Sequence, residues 1–166
     1  MTDDEFWDII EQSRPRKDDC EKQARKLTAI LKRRTPEEIL EFEAHWTKRR
    51  YETYRWDLYA VAYIVNGSGS DDGFEYFRNW LIGQGREFYE AMLKSPECIT
   101  ERVPAGEEVE CEALLYAAGY AYEARTGQPL PDGVWEGPSE PVGTRWTDED
   151  LDVLYPTLIA FYEGEE

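Results

Sequence analysis

The chain has 166 residues, of which 41% are hydrophobic, so it is long enough to bury a core and is the size of one ordinary domain. Its formal net charge of -17 disfavours binding to nucleic acid or to an anionic membrane, and it favours a basic protein partner or a small ligand. The three cysteines have no metal-ligand spacing and there is a single histidine, so we expect neither a disulfide framework nor a zinc site.

Targeting and cofactor motifs are missing from the sequence. The N-terminus is acidic and amphipathic, whereas a secretory signal begins with basic and then apolar residues. No apolar run approaches the roughly 20 residues that span a bilayer. No dinucleotide fingerprint, nucleophile elbow or metal triad occurs. We therefore expect a cytoplasmic protein without a cofactor or metal.

Capping signals and apolar periodicity predict three helices in the first third of the chain. The pattern Thr2-x-x-Glu5 is a capping box that begins the first helix. A second helix is predicted over 17–34, and Thr35-Pro36-Glu37-Glu38 begins a third that extends to Tyr54. The second helix carries the one basic patch, which is typical of a solvated face and alternatively of a nucleic-acid or partner surface. This patch comprises Lys22, Arg25, Lys26, Lys32, Arg33 and Arg34.

The centre of the chain predicts the core. Residues 56–65 are apolar at every position except Asp57, which predicts a helix that is buried on all sides. The glycine- and serine-rich residues 66–70 end it, and further helices are predicted over 74–84 and 86–93. We expect the first helix of the protein to pack on the 56–65 helix.

The last third predicts one more long helix, a loop and a final helix. The pattern over 107–125 places Val109, Ala113, Tyr116 and Tyr120 at helical spacing, so these side chains are predicted to form one apolar stripe. Residues 128–145 are rich in proline and glycine and predict a loop in which Trp135 is a pocket cover or a surface anchor. The chain is thus predicted to be an all-α, single-domain multi-helix bundle spanning residues 1–166, with this loop before the last helix.

Charged residues around the core helix are the candidate site. A carboxylate at Asp57 inside an apolar run requires a partner, so we predict that it is largely buried and bonded to a cation from another segment. The candidate partners are Arg78, Arg86, His45 and Arg49. Ser70, Asp71 or Asp72 is predicted to cap the helix after the glycine-rich turn. Alternatively, Asp71, Asp72 and Glu75 hold a cation together with loop carbonyls. The same acids disfavour phosphate binding at this helix start.

Two functional hypotheses of different class remain open. The first is a non-enzymatic binding or regulatory module that meets a basic partner. The second is a small enzyme or a ligand- or cation-binding protein that uses the charged cluster over 57–86. Its candidate site residues are Asp57, Asp71, Asp72, Glu75, Arg78, Arg86, His45 and Trp135. No nucleophile and base pair stands out, and this favours the module.

A family resemblance is carried by the opening DDEFWDIIEQSR, the helix start TPEEILEFEAHW and the run WDLYAVAYIVNGSGSDDGFEYFRNWLIGQGREFY. These stretches resemble a bacterial family known as domain-of-unknown-function family 4240. The resemblance covers roughly the first two thirds of the chain. It implies a soluble, mainly helical bacterial domain, and it implies no activity for any residue.

Overall fold

A computed structural model describes residues 1–133 and 136–164, which form nine α-helices and three short 3-10 turns. In chain order the helices are α1 (Asp3–Ser13), α2 (Cys20–Leu31), α3 (Pro36–Glu52), α4 (Trp56–Asn66), α5 (Asp71–Gly83), α6 (Arg86–Lys94), α7 (Ala117–Thr126), α8 (Leu151–Leu154) and α9 (Pro156–Tyr162). The 3-10 turns are Pro96–Glu101, Ala113–Tyr116 and Asp148–Asp150. No β-strand forms in the described residues, and the all-α prediction is confirmed.

The predicted caps begin α1, α3 and α5. At α1 the Thr2 hydroxyl accepts from the Glu5 amide at 3.2 Å while the Glu5 carboxylate accepts from the Thr2 amide, and Thr35 forms the same reciprocal pair at α3. At α5 the Ser70 hydroxyl accepts from the amide of Gly73. These short-range signals bind helix-end amides that would otherwise lack partners, so they fix where the helices begin.

The core surrounds α4, as its composition predicts. Leu58, Val61 and Ile64 of α4 are buried, and only its aromatic and polar residues reach the surface in part. The prediction that the first helix packs on α4 is wrong in its partner, because α1 packs mainly on α2, α3 and α5. The side chain of Phe6 enters between α1 and α3, where its ring contacts Trp7 and Phe42. An apolar stripe identifies a buried face, but it does not identify the helix opposite.

The predicted helix over 107–125 is too long. The α-helix begins at Ala117, and residues 107–112 form an extended segment before the Ala113–Tyr116 turn. Alternate residues of the segment, Val109 and Cys111, are buried, while Glu108, Glu110 and Glu112 on either side of them are exposed, which is the period of an extended chain. Hydrogen bonds from its backbone amides hold the segment in place. The Val109 amide donates to the side-chain Oδ1 of Asn66, and the Cys111 amide donates to the Tyr76 carbonyl.

A disulfide joins Cys20 to Cys111, which corrects the expectation that the cysteines form no disulfide framework. The two residues are 91 positions apart, and no linear spacing signals their pairing. The fold brings them together because the extended 107–112 segment passes the start of α2. Cys98 is a free thiol. Disulfides persist mainly in oxidising compartments, so the cytoplasmic location stays a prediction.

The C-terminal segment returns to cover α4. Val142 exchanges backbone hydrogen bonds with Tyr54 and Trp56, and Nε1 of Trp146 donates to the Trp56 carbonyl at 2.7 Å. The Trp146 ring meets the rings of Trp56, Tyr59 and Tyr63 edge-on at centroid distances of 5.9, 5.6 and 5.4 Å. This aromatic contact and the buried side chains of α8 and α9 hold the C-terminal segment against α4.

Glu43 of α3 makes the stability of the fold depend on pH. Burial raises the pKa of Glu43 to about 7, against partial lowering by the Arg50 charge and the Thr47 hydroxyl. The contribution of Glu43 to the free energy of unfolding is therefore present in full below the ordinary pKa of a glutamate, and it is lost as the pH rises through 7. Because Glu43→Gln stays neutral, it should stabilise the protein more at pH 8 than at pH 5, by about 1 to 2 kcal/mol. Urea unfolding at both pH values measures this, and an equal effect at the two would contradict it.

Candidate docking groove

A groove of about 810 Å³ runs between α2 and the chain from Glu112 to Ala124. Small side chains line it between two rows of longer ones, and they include Ala24, Ala29, Ala113 and Ala124. The remaining lining residues are Glu21, Arg25, Thr28, Lys32, Glu112, Tyr116, Tyr120 and Glu123. The alanines keep the floor shallow and apolar, so a second helix can approach the backbone closely.

Helical spacing builds the two walls. On α2 the positions Glu21, Arg25, Thr28 and Lys32 recur at intervals of four, three and four, which places them in one row. Opposite this row the buried side chains of α7 are the alanines 117, 118 and 121, and α7 packs against both α2 and α3. Because these side chains are short, the helices lie close together and the longer side chains beside them project outward.

Two tyrosines form the apolar ridge of the second wall. Tyr116 is 43% exposed and Tyr120 is 60% exposed, and their ring centroids are 6.2 Å apart. The Tyr116 hydroxyl donates to Glu112 at 2.9 Å, and this hydrogen bond raises the pKa of Tyr116. The sequence pattern assigned both rings to an apolar stripe with Val109 and Ala113, but that stripe requires a helix from 107 onward. Since the helix begins later, the tyrosines face solvent.

Both walls of the groove carry charged residues, and its cations lie on the α2 wall. Five exposed cations of α2 and the residues after it form no ion pair within 4 Å with any residue that the structure describes. They are Lys22, Arg25, Lys26, Lys32 and Arg33, and we call them the α2 cations. Of these cations, Arg25 and Lys32 line the groove beside Glu21, and Glu112 and Glu123 stand across from them. A surface of unpaired cations is exceptional in a chain with a net charge of -17.

The predicted partners of Asp57 are wrong. Its side chain is 32% exposed and pairs with Arg55, two residues earlier, at 3.0 Å from Nε. Arg55 also donates to the Leu93 carbonyl, and the Asp57 carboxylate accepts from the Leu58 amide. The first turn of α4 lies at the protein surface, so water and a neighbouring arginine satisfy a carboxylate that the apolar run appeared to enclose.

The other predicted site residues on α5 and α6 have separate partners. Glu75 pairs with Arg50, whereas Arg78 donates to the Arg50 carbonyl and lies over the rings of Tyr54 and Phe74. Burial, with the charge of Arg50, lowers the pKa of Arg78 to about 10. These contacts use the charges of Glu75 and Arg78 to join α3 to α5.

Asp71, Asp72, Arg86 and His45 lie apart from that cluster. Asp71 accepts a long hydrogen bond from Tyr59 at 3.4 Å, and Asp72 is exposed in the first turn of α5. Arg86 pairs with Asp4 and Glu90. Nε2 of His45 lies 2.9 Å from the Met1 carbonyl, and its Nδ1 lies 3.1 Å from Asp3. Trp135 falls outside the described residues.

Comparison with known families places the chain in one of them. Residues 1–124 match the family described as protein of unknown function (DUF4240). The chain belongs to this family. Comparison with curated proteins and with solved structures gives no match. The family match ends at the second wall of the groove, so both walls and the disulfide lie within the DUF4240 region.

Two kinds of feature are absent from residues 1–133 and 136–164. None of the helices there has the length and hydrophobicity of a membrane-spanning segment. In the same residues, no group of three or more histidine, cysteine, aspartate or glutamate side chains is arranged to hold a metal ion.

Proposed function

We propose that this DUF4240 protein is a non-enzymatic binding module whose groove between α2 and α7 receives an acidic amphipathic helix of a partner protein. The observation that carries the proposal is the pairing of the exposed Tyr116 and Tyr120 ridge with two unpaired α2 cations, Arg25 and Lys32, across an alanine floor. Exposed tyrosines supply large contact area at low entropic cost, and small residues allow helices to approach.

The size of the groove suits a helix. From Glu21 to Lys32 the α2 wall extends for about 16 Å, which is three turns of an α-helix. A helix of that length presents apolar residues at i, i+3 or i+4, and i+7 to a hydrophobic groove. Such residues would contact the alanine floor and the tyrosine rings. Each Å² of apolar surface buried in this contact stabilises the complex by roughly 25 cal/mol.

The α2 cations favour an acidic partner. Carboxylates along one edge of a bound helix would lie beside Arg25 and Lys32, which steers association and fixes the orientation of the helix. Nucleic acid is disfavoured because only two cations, Arg25 and Lys32, line the groove, whereas binding to a phosphate backbone rests on many such contacts. A second copy is disfavoured because two chains of net charge -17 repel each other. The basic partner expected from composition would instead meet the acidic remainder of the surface.

The separate pairing of the charged residues over 57–86 supports a module over a small enzyme. Glu75, Arg78 and Arg86 each contact protein groups that hold elements together. An active site requires charged groups that converge on a space where a substrate binds. These residues lie in structural contacts, whereas the α2 cations remain available to a partner.

Fluorescence anisotropy with defined peptides tests the proposal. The probe is a labelled helical peptide with leucines at i, i+4 and i+7 and glutamates along one edge; the controls are its scrambled sequence and a lysine version. We expect the acidic helix to bind with Kd near 10 μM, about 7 kcal/mol, and at least tenfold more tightly than either control. Equal binding of all three peptides would contradict the proposal.

Variants locate the contact. Tyr120→Ala should weaken binding of the acidic peptide about tenfold, because it removes the more exposed ring of the ridge. Arg25→Glu with Lys32→Glu should weaken it further. The matched controls are Val153→Ala, an exposed apolar residue on α8, and Lys17→Glu, before α2. If the controls weaken binding as much as the groove variants, the groove is not the binding surface.

A further inference from the structure

Two polar cavities, of about 400 and 500 Å³, adjoin on the side of the protein where α1 ends. The three residues that line both are Arg14, Gln84 and Arg102. They come from the end of α1, the end of α5 and the residue after the Pro96–Glu101 turn. The fold therefore converges two guanidinium groups and an amide on one place, and the binding groove proposed above uses none of them.

Arg102 is held in position without a counter-ion. Its guanidinium carbon lies 4.3 Å from the centre of the Phe88 ring, and Phe88 in turn meets the Trp80 ring edge-on. Within the described part of the chain, the Arg102 side chain forms no hydrogen bond and no ion pair. Stacking occupies the face of a guanidinium and leaves its in-plane donors free.

Arg14 supplies a second cation beside it. Its Nη1 contacts both oxygens of Glu11 at 3.2 and 3.0 Å, which leaves the other nitrogens of the fork without a protein acceptor among the described residues. Burial and then the charge of Arg14 lower the pKa of Arg102, while the charges of Asp18, Glu11 and Glu87 act in the opposite direction.

Gln84 completes the wall. The residue is only 7% exposed, and its amide nitrogen lies 3.4 Å from each oxygen of Asp18, which is a long contact for a hydrogen bond. The better donor to Asp18 is Nε1 of Trp80 at 2.8 Å. A buried amide whose hydrogen bonds are long and weak is stabilised when it donates to a ligand.

We propose that Arg14, Arg102 and Gln84 form a binding site for a small oxyanion, either a carboxylate or a phosphate. Each guanidinium fork binds two oxygens of such a group, and the Gln84 amide contributes a further donor. Seven carboxylates also line these cavities, and they belong to Glu11, Asp18, Glu87, Glu101, Glu107, Glu108 and Glu110. They limit the affinity to the millimolar range and favour a compact anion that fits between the two arginines.

The test is a titration of the whole protein with each anion at constant ionic strength, with chloride as the reference salt. The amide and indole NMR signals of the protein monitor binding. Inorganic phosphate and sulfate form one arm, and acetate and succinate form the other. We expect one arm to saturate with a Kd of a few millimolar and to shift the Trp80 indole signal. The arm that saturates identifies the anion as tetrahedral or planar. Absence of saturation in both arms overturns the proposal.

Arginine variants decide the location of the site. Arg102→Gln should raise the Kd of the saturating anion at least tenfold. If Arg102→Gln does not fold, Arg14→Gln provides the second test. The control is Arg86→Gln, an exposed arginine of α6 that pairs with Asp4 and Glu90, for which we expect an unchanged Kd. Equal weakening by all variants would reduce the effect to general charge screening and overturn the site.

Discussion

Removing the Cys20–Cys111 disulfide, by Cys20→Ser with Cys111→Ser, should lower the free energy of unfolding by about 4 kcal/mol. The crosslink closes a loop across 91 positions, so it restricts the unfolded chain more than a short loop would. Cys111 is also buried, and the new hydroxyl would need a hydrogen-bond partner there. Urea unfolding at pH 7 measures the difference.

The matched control for the disulfide is Cys98→Ser. This thiol is free and half-buried, so its replacement should change the free energy of unfolding by less than about 1 kcal/mol. The double variant should also loosen one end of the groove, because Glu21 follows Cys20 and Glu112 follows Cys111. Equal stability of the double variant and the wild-type protein would show that the crosslink does not form in the folded protein.

Arg49→Ala should cost about 3 kcal/mol of stability. Arg49 is 3% exposed, and its guanidinium carbon lies 5.4 Å from the ring centres of both Phe6 and Trp7. Its Nη2 bonds to Asp3 at 2.9 Å, and its Nε lies 3.9 Å from Glu52. Truncation leaves a cavity between α1 and α3, whereas the two carboxylates are exposed enough to regain water.

Asp57→Ala is the informative comparison for Arg49→Ala. The Asp57 ion pair is partly exposed, so its loss should cost about 1 kcal/mol or less. The Arg49 effect should also depend on pH, because the hydrogen bond from Arg49 lowers the pKa of Asp3. That contribution is present above the ordinary pKa of an aspartate and is lost as the pH falls through the lowered value. Equal costs for the two variants at pH 7 would contradict this assignment.

Local signals in the sequence predicted the helices well. The capping pattern at Thr2, the proline start at Thr35-Pro36 and the apolar run over 56–65 each act within a few residues. Long-range pairing carried no such signal. The disulfide between Cys20 and Cys111 and the packing of α1 on α2 depend on how the helices are arranged, which spacing along one helix does not encode.

The candidate site was harder to predict, for two physical reasons. The alternation of Val109 and Cys111 with glutamates indicates an extended segment, but the helical pattern that follows obscured it and placed Tyr116 and Tyr120 on one helical stripe with Val109. The basic patch of α2 was visible in the sequence and was interpreted as a solvated face. Nothing in the patch itself indicated that residues 112–124 lie opposite it and form the second wall of a groove. A groove belongs to two elements, so neither element alone reveals it.

The most direct test of the central claim is an NMR titration of the isotope-labelled protein with the acidic amphipathic peptide. We predict that amide shifts concentrate in residues 20–33 and 112–124, the two walls of the groove, and that they saturate with the Kd measured by anisotropy. Lysine-edged peptide should leave these signals in place. Shifts centred instead on the surface of α4 to α6, or spread evenly over the acidic surface, would contradict the assignment of the groove between α2 and α7 as the docking site.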